Sequence, residues 1–314
     1  MITKEKLDNC IIDKNALVSC KFMGNITELC YAQKRNFKVS TRLINKDEYM
    51  NLSTGEVFKC NHISNRSESI FQVGQSLKRL RDYINTNVVN PNNCKWVTLT
   101  YEENMTNTKK LYKDFNNFIT RARKKIGQFE YIVAMEPQGR GAWHCHCIMI
   151  FDQKAPFIPN EDMSKLWHQG FTSTKALNDI DNIGAYLTAY LGDMEFNEEN
   201  VKLLYEKGID ITKLKGKEIE IEEDRNGEKV LNKKQFIKGA RLFMYPPKFN
   251  LYRCSRGIKK PKKIYLSYQT AKEKVGCAEP TFKKAYQISD SITQFDNLYI
   301  YEYYNKRKVC KSSE

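Results

Sequence analysis

Residues 129–151 constrain the fold of this chain more than any other stretch. Phe129 to Met135 and Trp143 to Phe151 are apolar runs rich in β-branched and aromatic residues, and Gln138-Gly-Arg-Gly stands between them. Glycines at such a point accept turn conformations that other residues avoid, so the two runs are predicted to pair as an antiparallel hairpin. Two histidines, His144 and His146, interrupt the second run. Residues i and i+2 of a strand share a face, so both imidazoles should project side by side. Cys145 and Cys147 should then point the other way and serve as small core residues.

Paired imidazoles are metal ligands. These two are half of the chain's four histidines. Glu136 ends the preceding strand, and the hairpin returns the chain beside it, which makes Glu136 the best candidate for a third, carboxylate ligand. Such a set leaves open positions for a phosphate oxygen and water, and a cation there would offset the charge that makes a phosphodiester a poor electrophile. Imidazole ligation suits Mn²⁺ better than Mg²⁺, and cellular abundance favours Mg²⁺. His62 and His168 are isolated and read as surface or helix-end residues.

Lys and Arg number 52 against 37 Asp and Glu, a formal net charge of +15. So basic a balance fits a polyanionic partner, most often nucleic acid. The start of the chain lacks the apolar core of a signal peptide, and no stretch is apolar for long enough to span a membrane. A cytoplasmic location is therefore expected. The ten cysteines show no paired C-x₂₋₄-C spacing, which disfavours a structural zinc site.

Periodicity outlines the remaining organisation. A helix is predicted over 75–85, where Leu77, Leu80 and Ile84 share a stripe, and a strand over Lys95 to Tyr101. Residues 107–127 carry Leu111, Phe115, Phe118, Ile119, Ala122 and Ile126 at helical spacing, with Lys109, Lys110 and other cations on the outer face. A short helix from Glu161 to His168 should close at Gly170 as its C-cap. A hairpin is expected within 37–59. Residues 195–235 are highly charged, with an acidic run from Glu218 to Asp224, and read as a surface excursion or a partly disordered segment. Four segments follow: an accessory region over 1–90, a core over 91–195, the charged excursion over 196–237 and a basic C-terminal region over 238–314.

A last helix is expected between about Asp179 and Met194. It carries Tyr186 and Tyr190 one turn apart, bordering the apolar stripe of Ile183, Leu187, Leu191 and Met194. Tyrosines at this spacing serve as core packing or as nucleophiles, and the helix alone does not decide between the two. A phenol with a pKa of about 10 is a weak nucleophile until a nearby cation favours the phenolate.

Taken in order, Trp96-Val-Thr-Leu-Thr-Tyr101, Trp143-His-Cys-His-Cys-Ile-Met-Ile-Phe151 and Tyr186-Leu-Thr-Ala-Tyr190 resemble the three motifs of the HUH endonucleases. The likeness is to rolling-circle replication initiators of phages, plasmids and integrative elements, in their two-tyrosine form. It covers residues 95 to 195. Where single-tyrosine members have a lysine three residues after the nucleophile, this chain has Ala189.

The resemblance implies an α+β fold, with an antiparallel five-stranded sheet flanked by helices and additions at both ends. It implies that His144, His146 and, less directly, Glu136 hold a divalent Mn²⁺ or Mg²⁺, and that Tyr186 or Tyr190 attacks origin DNA. The products would be a 5′-phosphotyrosine link and a free 3′ hydroxyl, with unwinding and synthesis left to a host helicase and DNA polymerase. A relaxase or transposase would use the same chemistry, and a non-catalytic DNA-binding regulator could use the same scaffold. Arg140, Lys109, Lys110, Arg253 and Arg256 are the candidate phosphate contacts.

Overall fold

Alternation in the strands around the histidines creates two apolar faces, and each must be covered. Cys94–Thr100, Glu130–Pro137 and Trp143–Ile150 form the centre of a five-stranded sheet, with Thr172–Lys175 at one edge and Tyr252–Cys254 at the other. Every pairing in it is antiparallel. Val97, Leu99, Val133, Met135, Cys145 and Cys147 face one way. There they pack with Leu111, Phe115, Phe118 and Ala122 of the helix Thr108–Ile126. Asn107 caps that helix by accepting hydrogen bonds from the Lys109 and Lys110 amides. The opposite face carries Ile132, Ala134 and Ile148, which pack with Leu80 and Ile84 of the helix Ile70–Asn87.

The computed structural model describes residues 2–35, 39–177, 184, 188, 191–225, 228–292 and 294–307. The chain forms two compact units, 63–259 and the joined ends 1–62 with 260–314. The unit over 63–259 holds the sheet just described. It also contains a helix, Glu198–Glu206, and a long hairpin of Gly216–Arg225 with Glu228–Ile237, to which Met194–Glu195 adds a short third strand. The charged stretch after residue 195 is thus largely regular in backbone, because strand ladders can form whatever the side-chain charge.

The other unit is a six-stranded antiparallel sheet. Its order is Ile2–Leu7, Phe282–Asp290, Phe295–Asn305, Ile26–Ala32, Leu17–Met23 and Lys263–Ser267. The helix Tyr268–Val275 covers one face through Ala271 and Val275, above Val18, Cys20, Leu29 and Ile300. Three short strands, Thr41–Leu43, Glu48–Asn51 and Val57–Lys59, form a separate small sheet.

The α+β class and the antiparallel pairing expected from sequence are observed, with more β structure than expected. The helix Asn160–Trp167 corrects one local expectation: His168, not Gly170, takes the left-handed capping conformation, at φ 61°. Gly170 is required for another reason. A Cβ there would lie 2.4 Å from the Glu102 backbone nitrogen and 2.8 Å from the Thr100 carbonyl oxygen.

Candidate metal centre

The hairpin register places Glu136 directly opposite His144, and Ala134 opposite His146. All three polar side chains therefore rise from the face that carries Ile132 and Ile148. Both histidine Nε2 atoms lie 3.5 Å from Glu136 Oε2. The imidazole centroids are 4.5 Å apart, and one ligand atom from each of the three residues falls within 4.8 Å of the others. This group could hold a metal ion.

The two carboxylate oxygens of Glu136 have different tasks. Oε2 faces the histidines, while Oε1 accepts a 2.8 Å bond from Arg241 Nη1 and a 3.2 Å bond from the Gly192 amide. Only 4% of Glu136 is exposed, and burial alone would favour its neutral form. The two imidazoles and the Arg241 charge outweigh that effect and hold the carboxyl well below the ordinary carboxylate range. Burial likewise pushes the His144 pKa down, against the pull of Glu136. A neutral imidazole beside an ionised carboxylate is the protonation state that ligation needs.

The histidines differ in their support. His146 Nδ1 is 3.5 Å from Thr98 Oγ1, and that hydroxyl accepts a 3.2 Å bond from the Trp96 indole N–H. The Trp96 ring meets His146 edge-on at 5.9 Å. These contacts orient the ring with Nε2 toward Glu136, as an outer shell does for a metal ligand. His144 Nε2 is buried and has no hydrogen-bond partner among the described residues. A buried polar atom without a partner is costly. A cation at the centre of the group would relieve that cost, so the donor set fits a divalent metal.

Tyr186, Tyr190 and Ala189 lie outside the described residues, but several positions around them do not. Gly184 meets the helix Ile70–Asn87 so closely that a Cβ would lie 2.6 Å from Asn85 Oδ1 and 2.9 Å from the Arg81 carbonyl oxygen. Thr188 Oγ1 donates to the Gly184 carbonyl at 2.8 Å. Leu191 joins the core beside Leu80, Ile84 and Ala134. Gly192 donates to Glu136 and accepts a 2.9 Å bond from the Arg241 amide.

The candidate phosphate contacts are not gathered here. Lys109 and Lys110 belong to the helix on the other side of the sheet, and Lys110 Nζ is held by Asp114 at 2.6 Å and Gln169 at 2.9 Å. Arg253 pairs in register with Val133, so it too stands on the cysteine side, over the Tyr112 ring. Arg140 lies in the hairpin turn and donates to the Tyr101 carbonyl at 2.8 Å. Arg256 is exposed beyond the edge strand. Cys145 and Cys147 are fully buried on the face opposite the histidines, as alternation predicts. His62 Nε2 sits 2.9 Å from Asp47 Oδ1, far in sequence from the group.

Sequence reasoning did not find Arg241 or the Gly192 amide. Neither belongs to a motif, and Arg241 lies 105 positions beyond Glu136. Thr98 was within reach, since strand alternation puts Trp96, Thr98 and Thr100 on one face.

Residues 94–195 match the family model of the replication-associated protein ORF2. No curated protein and no solved structure matches the chain. The matched region spans four of the five strands of the central sheet, the Glu136–His144–His146 group and both motif tyrosines, and it supports a role for this chain as a replication initiator.

Proposed function

We propose that this protein initiates replication by nicking a single strand of origin DNA through a tyrosine nucleophile. The observation that carries this reading is the convergence of Glu136, His144 and His146 within the region that matches a replication-associated family. When bound there, Mn²⁺ or Mg²⁺ would polarise the scissile phosphate and favour a phenolate nearby. His144 and His146 supply neutral nitrogen ligands, and Glu136 supplies one charged oxygen. Arg241 and the Gly192 amide keep the other Glu136 oxygen from rotating into the site.

The Tyr186 phenolate oxygen forms a bond to phosphorus as the bond from phosphorus to the 3′ oxygen breaks. The 5′ phosphate stays on the protein, and the 3′ oxygen takes up a proton to become a primer hydroxyl. Tyr190 would carry out a second transfer. The close seat of Gly184 and the tie between Gly192 and Glu136 support this reading, because both tyrosines fall between those anchors in sequence. A helicase and a polymerase would come from the host.

The test is incubation with labelled single-stranded origin DNA and Mn²⁺, followed by a denaturing gel. A covalent protein–DNA adduct is expected. Clean cuts without an adduct would mean water is the nucleophile, and binding without cleavage would make the chain a DNA-binding regulator.

A further inference from the structure

The six-stranded sheet has a second face, and its composition is unusual. Helix Tyr268–Val275 covers the side of Val18, Leu29 and Ile300. Register puts a different set on the reverse: Tyr286 opposite Tyr299, Lys284 opposite Tyr301, Phe282 opposite Tyr303, and Tyr265 further across. All of these aromatics are at least partly exposed. Tyr286 stacks on Tyr299 at 5.5 Å and on Tyr301 at 5.8 Å, while Phe282 meets Tyr303 at 5.9 Å. A solvent-facing sheet surface is ordinarily polar. A row of aromatic rings there needs a reason.

Cations frame the rings. Lys4 Nζ sits 4.1 Å from the Tyr286 centroid and Lys284 Nζ 5.6 Å from it. Lys263 and Arg35 flank Tyr265 at 5.1 and 5.3 Å. Glu28, a buried carboxylate on this side, is already engaged by the Tyr303 hydroxyl and by Lys21. Six strands at the usual spacing of about 4.8 Å make a surface about 24 Å across. Flat rings for bases and flanking cations for phosphates are the requirements of a single-stranded nucleic-acid platform. A duplex hides its base faces and would gain only the cation contacts.

We infer that the Tyr286–Tyr299–Tyr301 face of the six-stranded sheet is a second binding surface, which holds single-stranded DNA by base stacking, without regard to sequence. The choice of DNA over RNA rests on the proposed function; the stacking surface itself does not.

The experiment uses the full chain and a fluorescent dT₁₂ oligonucleotide, followed by anisotropy. Tyr286→Ala and Tyr299→Ala should each weaken binding about tenfold, the loss of one stacked base. Tyr286→Phe, which keeps the ring, should bind like the parent. Lys4→Glu with Lys284→Glu should also weaken binding, and these outer positions leave the core intact. His144→Ala should retain dT₁₂ affinity, so failure of the nicking reading and failure of this one are distinguishable. Photocrosslinking of 5-iodouracil-containing DNA to the unaltered protein should label the 282–305 peptides. Crosslinks confined to 63–259, or equal competition by duplex of the same length, would overturn the inference. Equal competition by rU₁₂ would overturn the assignment to DNA.

Discussion

Arg241 Nη1 lies 2.8 Å from Glu136 Oε1, the carboxylate oxygen that does not face the histidines. The contact joins the loop before the residues 242–244 turn to the end of a central strand. It fixes a ligand candidate from behind and leaves the open side to the imidazoles. Arg241→Ala should therefore lower Mn²⁺ affinity about tenfold or more, the usual effect of losing an outer-shell partner. It should also cost about 3 kcal/mol of stability in the metal-free protein by leaving Glu136 buried and unpaired. Calorimetric titration and thermal unfolding would measure the two effects. Unchanged affinity would separate Arg241 from the metal.

His144→Ala removes the buried nitrogen that lacks a partner. Mn²⁺ binding and nicking should both be lost, while origin DNA is still retained in a gel-shift assay. Because the apo-protein has an unsatisfied atom at this point, the substitution should cost less stability than Arg241→Ala. Wild-type cleavage by this variant would refute the metal assignment.

Tyr186→Phe should abolish the first covalent adduct, and Tyr190→Phe should leave it in place but block a second transfer. Adduct formation on labelled single-stranded origin DNA reads both. If only Tyr190→Phe removed the adduct, the order of the nucleophiles would be reversed.

Gly170→Ala should destabilise the protein by about 2 kcal/mol or more, because its φ is +139° and a Cβ would press on the backbone of Glu102 and Thr100. The lost stability should appear as a lower thermal midpoint. An unchanged midpoint would show that the adjoining loop can yield.

The terminal-ends unit should lose stability in alkali. Burial, with the Glu302 charge and hydrogen bond in support, pushes the Tyr268 pKa up to about 12. A raised pKa means the neutral phenol stabilises the fold below the unfolded value of about 10. That contribution fades as pH rises through the folded value. Thermal midpoints from pH 9 to 12 should fall, and the fall should be shallower in Tyr268→Phe. Equal slopes would show that Tyr268 does not contribute to the effect.

Much of the site was legible in the chain. The turn Gln138-Gly-Arg-Gly and the alternation of His144, Cys145, His146 and Cys147 specify a hairpin with histidines on one face and cysteines on the other. The same pattern places Glu136 opposite His144, since register follows from the turn. The Gly170 expectation failed because a glycine after a helix can serve a close backbone approach as well as a cap, and composition does not distinguish the two.

Local periodicity sufficed for these strands, for the helix Thr108–Ile126 and for the imidazole pair, because each depends on residues within a turn or a pleat of one another. It could not supply Arg241 behind Glu136, nor show that Lys109, Lys110 and Arg253 stand on the far side of the sheet from the histidines. Nor could it pair Ile2–Leu7 with Phe282–Asp290. Those relations come from which faces bury against each other across long stretches of chain, and only the folded packing selects among the many partners that polar and apolar side chains would accept.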